Sequence, residues 1–167
     1  LITSKSEPVL GGVYKLVGVE KDGKAIPRIK VSNDSIKTIN PGYKKVYRFY
    51  DKDTGYALGD VIALSDEIIP EDKYTLVHPV ETWKKTDLEN YNVRELQVPI
   101  FKDGELVYEV PTLEETRKYA ADEFNSLYPE VTRLNKPHGY YVDLSDKLRE
   151  LKEELIKLRR SGEETGK

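Results

Sequence analysis

Two Asp-Gly pairs limit what this chain can fold into. Asp22-Gly23 separates "GGVYKLVGVE" from "AIPRIKV", and Asp103-Gly104 separates "VRELQVPIF" from "ELVYEV". An Asp-Gly pair tolerates the positive φ of a two-residue hairpin loop, so each predicts antiparallel strands on both sides. In the first, Val13, Lys15, Val17 and Val19 alternate with Tyr14, Leu16 and Gly18, and Pro27 marks the returning strand as an edge or a bulge. "YKKVYRFYD" and "ALGDVIALSDE" read as two further strands joined across "KDTG", with the polar "SNDSIKTINPG" as the loop before them. Residues 69–92 contain two prolines and no sustained period, and read as irregular; Trp83 there is expected to anchor a core or an interface.

Helical signals come only after these strands. Thr112 and Glu115 form a T-x-x-E capping box, followed by Leu113, Thr116, Tyr119, Ala120 and Phe124 at helical spacing. Ser145 is the expected cap of a last helix whose stripe is Leu148, Leu151, Leu155 and Leu158, predicted to pack on its own sheet. The fold class that follows is α+β, an antiparallel β-rich segment followed by two C-terminal helices. "LITS" at the start reads as the tail of a strand that begins elsewhere, so a fragment of something larger is expected.

Composition removes several chemistries. There is no cysteine, which excludes disulfides, thiolate nucleophiles and cysteine zinc sites. His78 and His138 stand sixty residues apart beside prolines, in turn or surface settings, so neither a histidine metal site nor a Ser-His-Asp triad is expected. No GxGxxG, Walker A or HExxH pattern occurs, and no catalytic or metal-binding residue is assigned. No apolar run reaches bilayer-spanning length and no stretch has the form of a signal peptide, so a cytoplasmic protein without membrane contact is expected.

Charge is the remaining signal. Residues 1–48 carry ten Lys or Arg against four Asp or Glu, whereas the whole chain has a net charge of -3. Lys30, Lys37, Lys44, Lys45 and Arg48 fall within one stretch. A basic front on an acidic body points to an anion as partner. The cations are few and lack interleaved aromatic platforms, so no nucleic acid is expected, and a compact phosphate ligand fits better. The Gly pair in "LGGVYK" is compatible with close backbone approach to a ligand.

"LGGVYKLV" together with the ordered set Lys30, Ser32, Lys37, Pro41-Gly42, Lys44, Val46, Arg48 and the following Asp51 resembles nicotinate phosphoribosyltransferase. "HPVETWK", "RELQVPIFKDGELVYEVP" and "YVDLSDKLRELK" are similar to the bacterial form of that family with a C-terminal extension. The resemblance implies a C-terminal piece of a larger α/β-barrel enzyme that condenses nicotinate with phosphoribosyl pyrophosphate (PRPP), assisted by ATP and Mg²⁺, in NAD synthesis. It also implies a homodimer with shared active sites and a fragment that is inactive alone, because the glycine phosphate loop and the phosphorylated histidine lie upstream in the barrel. Residues 1–10 then correspond to the barrel's tail, 11–50 to a basic strand-loop-strand segment, 51–160 to an extension domain and 161–167 to a disordered tail. Carried over by position, the resemblance implies Lys15, Lys30 and Lys37 as the phosphate or PRPP contacts, reaching toward the partner subunit's site. Ser32 and Thr38 would add hydroxyls and Gly42 a close-approaching turn. Lys44 and Arg48 rank below them, since their strand placement suits ordinary structural pairs. Two other readings stay open: a freestanding β-rich nucleotide- or RNA-binding module, and a purely structural domain with solvated lysines.

Overall fold

The computed structural model describes residues 12–32, 38–79 and 81–161. The expected barrel tail at 1–10, Lys37, and the tail beyond residue 161 lie outside the described residues. The chain divides into two units, one of residues 1–43 with 152–167 and one of residues 44–151.

In the first unit β1 (Gly18–Lys21) and β2 (Lys24–Pro27) form the predicted hairpin, with Val19 opposite Ile26. Asp22 and Gly23 both have positive φ, 53° and 72°, the two-residue geometry that the Asp-Gly pair favours. The strand is shorter than expected. Residues 12–17 join no ladder, and Val13, Tyr14 and Leu16 are exposed. Pro27 faces Gly18 where no ladder hydrogen bond is made, and the last bond in register is donated by the Arg28 amide to the Val17 carbonyl at 2.8 Å. The same carbonyl accepts from Gly42 at 2.7 Å. Gly42 is buried at φ 82°, so the Pro41-Gly42 turn needs its glycine.

In the second unit β3 (Lys44–Asp51) and β4 (Ala57–Leu64) pair antiparallel as expected. Asp51 closes their turn, its carboxylate accepting from the amides of Asp53 and Thr54 and from the Thr54 hydroxyl. The supposedly irregular stretch 69–92 instead holds β5 (Lys73–Val77), β6 (Lys85–Glu89) and the start of β7 (Tyr91–Glu95). Its prolines flank these strands rather than interrupt them, and Tyr74 pairs opposite Leu88. The stretch supplies much of the core: Leu76, Leu88 and Tyr91 pack with Phe49 and Val61. Phe49 meets the edge of Tyr91 at 4.9 Å between ring centroids, and the Tyr91 hydroxyl donates to the Pro70 carbonyl at 2.7 Å. Trp83, expected to anchor a core or an interface, is 73% exposed and so belongs to no core of this chain.

Asp103-Gly104 does turn a hairpin, but only between the short β8 (Phe101–Lys102) and β9 (Glu105–Leu106). Helix α1 (Leu113–Asn125) starts at the predicted capping box, with both Thr112–Glu115 bonds made. None of its residues is buried, so the apolar spacing of Leu113, Tyr119 and Phe124 does not mark a core face here. A short α2 (Pro129–Thr132) and a strand, β10 (Val142–Leu144), come before the last helix. β10 lies parallel to β4 and completes a sheet in the order β10-β4-β3-β7, the one departure from antiparallel pairing in it. Gly59 on β4 has no room for a Cβ, which would lie 2.8 Å from Leu76 Cδ1 and 3.2 Å from Tyr141 Cβ. Helix α3 (Asp146–Ser161) is capped by Ser145, whose hydroxyl oxygen accepts from the Leu148 amide at 3.2 Å. Leu148 and Leu155 are buried and Leu151 and Leu158 half-buried, in keeping with the predicted stripe. The class is α+β. No helix among the described residues is long and apolar enough to cross a membrane.

Candidate functional site

The expected phosphate contacts fall in both units. In the first, Lys15 and Lys30 are exposed and make no ion pair among the described residues. Ser32 and Thr38 are brought together: the Ser32 amide donates to Thr38 Oγ1 at 3.4 Å. Each is half-buried. The Gly42 amide is spent on the Val17 carbonyl and serves the turn. Sequence reasoning passed over Lys152, a half-buried helix residue whose ammonium donates to Asn40 Oδ1 at 2.8 Å in the same unit. Burial pushes its pKa down. It lies between the stripe leucines Leu151 and Leu155, a placement compatible with a half-buried cation.

In the second unit Arg48 is fully engaged in structure. Its Nε and Nη2 donate to the two carboxylate oxygens of Asp60 at 2.8 and 2.9 Å, a bidentate pair. Its Nη1 reaches Glu123 Oε2 at 3.0 Å, and the guanidinium lies over the Tyr140 ring. Tyr140 donates its hydroxyl to Asp60 Oδ1, while Tyr50 and Arg94 donate to Glu123. The Asp60 hydrogen bond and the surrounding charges outweigh burial and raise the Arg48 pKa further above its ordinary value. The network fastens α1 to the sheet through Glu123, which explains how a helix without a buried residue is held. Lys45 pairs with Glu95 at 2.9 Å, and burial lowers the pKa of Lys44. Arg48 thus takes the structural role that strand placement suggested.

His78 Nδ1 accepts the Glu81 amide at 2.9 Å and its own amide donates to the Lys84 carbonyl, so it shapes a turn. The His138 amide donates to the Glu130 carbonyl in a loop. Among the described residues no group of three or more histidine or carboxylate side chains could hold a metal ion.

A family model described as nicotinate phosphoribosyltransferase C-terminal domain matches residues 43–152. The chain belongs to this family. It is 40% identical over 147 residues to a nicotinate phosphoribosyltransferase of Bacillus subtilis (strain 168), covering 87% of this chain and 30% of that protein. Against a nicotinate phosphoribosyltransferase of Homo sapiens it is 35% identical over 156 residues, 90% of this chain and 27% of that one. The fold is similar to a crystal structure of human nicotinic acid phosphoribosyltransferase, with a TM-score of 0.63, 30% identity, and 70% of this chain matched to 23% of that one. The chain therefore spans less than a third of the length of these relatives, and its second unit, residues 44–151, coincides closely with the matched family region.

Proposed function

We propose that this chain is the C-terminal region of an enzyme that joins nicotinate to PRPP, giving nicotinate mononucleotide and pyrophosphate in an ATP-assisted step of NAD synthesis. The observation that carries this reading is the family match over residues 43–152. The exposed Lys15 and Lys30, with Ser32 and Thr38 held close to each other, support a part for the basic segment in it.

Pyrophosphate leaves C1 of the ribose through an oxocarbenium-like state while negative charge grows on the departing phosphates. Fixed cations stabilise that charge where it develops. A lysine suits the task as a point charge on a flexible stem. In this reading Lys37 is the principal phosphate contact, Lys15 and Lys30 add to the field, and Ser32 and Thr38 contribute hydroxyls. Arg48 is excluded from this part of the proposal because its guanidinium is committed to Asp60 and Glu123. Mg²⁺ and ATP enter the reading as requirements of the full enzyme, with no residue of this chain assigned to either. The remaining parts of the reading are a cytoplasmic homodimer with active sites shared between subunits, and no activity in the piece alone.

The test is pyrophosphate release by the full-length protein with nicotinate, PRPP, Mg²⁺ and ATP, for wild type and Lys37→Ala. Nicotinate-dependent turnover is expected, falling roughly 10²–10³-fold in the variant with its melting temperature unchanged. Turnover that survives the substitution removes Lys37 from the site. Absence of turnover with any pyridine base rejects the enzyme reading.

A further inference from the structure

Where β5, β6 and β10 end near one another, the second unit has a cavity of about 320 Å³ that no part of the proposed chemistry uses. Asp143, His78, Trp83, Lys84, Lys85 and Tyr141 line it. Asp143 is the unusual member. It is 2% exposed, and its Oδ1 is buried with no hydrogen-bond partner in the structure. Buried carboxylate oxygens nearly always have a donor, and one that lacks it on a residue lining a cavity marks a place where a donor is needed. Burial pushes the Asp143 pKa up, and the charge of His78 acts in the opposite direction.

The other walls narrow the choice of guest. Trp83 is 73% exposed and Tyr141 about half exposed, so both rings have open surface at the cavity. Lys84 and Lys85 are exposed and put positive charge on the rim, although Lys84 also pairs with Glu81. A purely cationic guest, such as an arginine side chain, would satisfy Asp143 but meet two lysines. An anion alone would suit the lysines and be repelled by Asp143. The complementary guest has an amine donor at one end, a flat ring between, and an anionic group at the other.

We propose that this cavity binds an aminopurine or aminopyrimidine nucleoside monophosphate, with the ring amine donating to Asp143 Oδ1, the base against Trp83 and Tyr141, and the phosphate at Lys84 and Lys85. The site does not depend on the phosphoribosyl-transfer reading, and an enzyme of a different activity would keep it.

The experiment is calorimetric titration of the full-length protein with AMP and with purine riboside 5′-monophosphate, which lacks the amine. Saturable AMP binding is expected, with the amine-free analogue weaker by about tenfold. Asp143→Asn should weaken AMP by about the same factor and bring the two ligands together. Lys85→Ala should weaken both ligands alike, by a few fold. The ligand pair needs no variant to fold, and Lys85 is exposed, so a misfolded Asp143→Asn protein leaves the test intact. Equal binding of AMP and the analogue overturns the assignment of Asp143 as the reader of the amine. No saturation at millimolar AMP, or AMP binding unaffected by Lys85→Ala and Asp143→Asn, overturns the site.

Discussion

Glu123 and Asp143 are carboxylates of the same unit in opposite circumstances. Glu123 accepts from Arg48, Tyr50 and Arg94, so both of its oxygens are occupied. Asp143 is more deeply buried, and one of its oxygens has nothing. Burial pushes the pKa of both upward, but around Glu123 the Arg94 bond and charge, with Tyr50 and Arg48, bring the net value below the ordinary one. At Asp143 burial prevails and the pKa stays raised. A charge with all its partners inside the chain is explained by the fold. A buried one whose partners are incomplete, as at Asp143, is the candidate for a guest.

The largest test of this contrast is Arg48→Ala. It leaves Asp60, which is 5% exposed, without its bidentate partner and removes one of the donors to Glu123. Breaking a buried pair on one side costs about 3–5 kcal/mol, so denaturant unfolding should show a loss of that size. A loss under about 1 kcal/mol would mean that the network is ornamental, and would return Arg48 to the phosphate candidates.

Asp143→Asn should act in the opposite direction. A neutral amide is cheaper to bury than a carboxylate, so the variant should be more stable at neutral pH by about 1 kcal/mol. The pH dependence follows from the direction of the shift. An acid whose folded pKa lies above its unfolded value of about 3.8 burdens the fold at higher pH and is neutral to it below 3.8. The advantage of the variant should therefore fade as pH falls through the raised folded value toward 3.8. Thermal melts of both proteins from pH 7 downward measure it, and an advantage that grew in acid would contradict the unpaired state of Asp143. Glu123 has the reverse sign, contributing stability above about 4.5 that is lost as pH falls through its lowered folded value.

These contrasts were only partly legible in the sequence. Local chemistry was readable: the Asp22-Gly23 and Asp103-Gly104 turns, the Thr112–Glu115 box and the Ser145 cap depend on neighbours a few residues away, and all are present. What failed depended on distant partners. β5 and β6 are two short strands whose worth lies in pairing Tyr74 with Leu88 and burying Leu76, which no local period announces. The apolar spacing of α1 gave the helix but not its attachment: Glu123 holds it, and its leucine and phenylalanine stay exposed. The network at Arg48 spans 12 residues to Asp60 and 75 to Glu123, beyond the reach of motif or spacing. Asp143 carried no signal, because an acid next to a turn is ordinary until its burial is known. Family resemblance filled part of this gap by fixing the candidate lysines through position rather than environment.

Arg94→Ala is the smallest and sharpest of the tests, because it separates Glu123 from Asp60 within the network. The Arg94 side chain is 45% exposed and reaches Glu123 Oε1 at 2.7 Å, while Arg48 continues to hold the other oxygen. A half-exposed pair with a surviving second partner is screened by solvent, so the loss should stay below about 1 kcal/mol and shrink further in high salt. Arg94 also lies over the Tyr50 ring at 5.0 Å, a contact that salt screens less and that sets a floor to the effect. Unfolding measured at low and high salt for this variant and Arg48→Ala compares them on one scale. If Arg94→Ala costs as much as Arg48→Ala, the clamp on α1 through Glu123 carries the network and the bidentate Asp60 pair is secondary. If it costs little, the cohesion lies where burial and bidentate geometry coincide, and Glu123 is a tether between the sheet and an otherwise exposed helix.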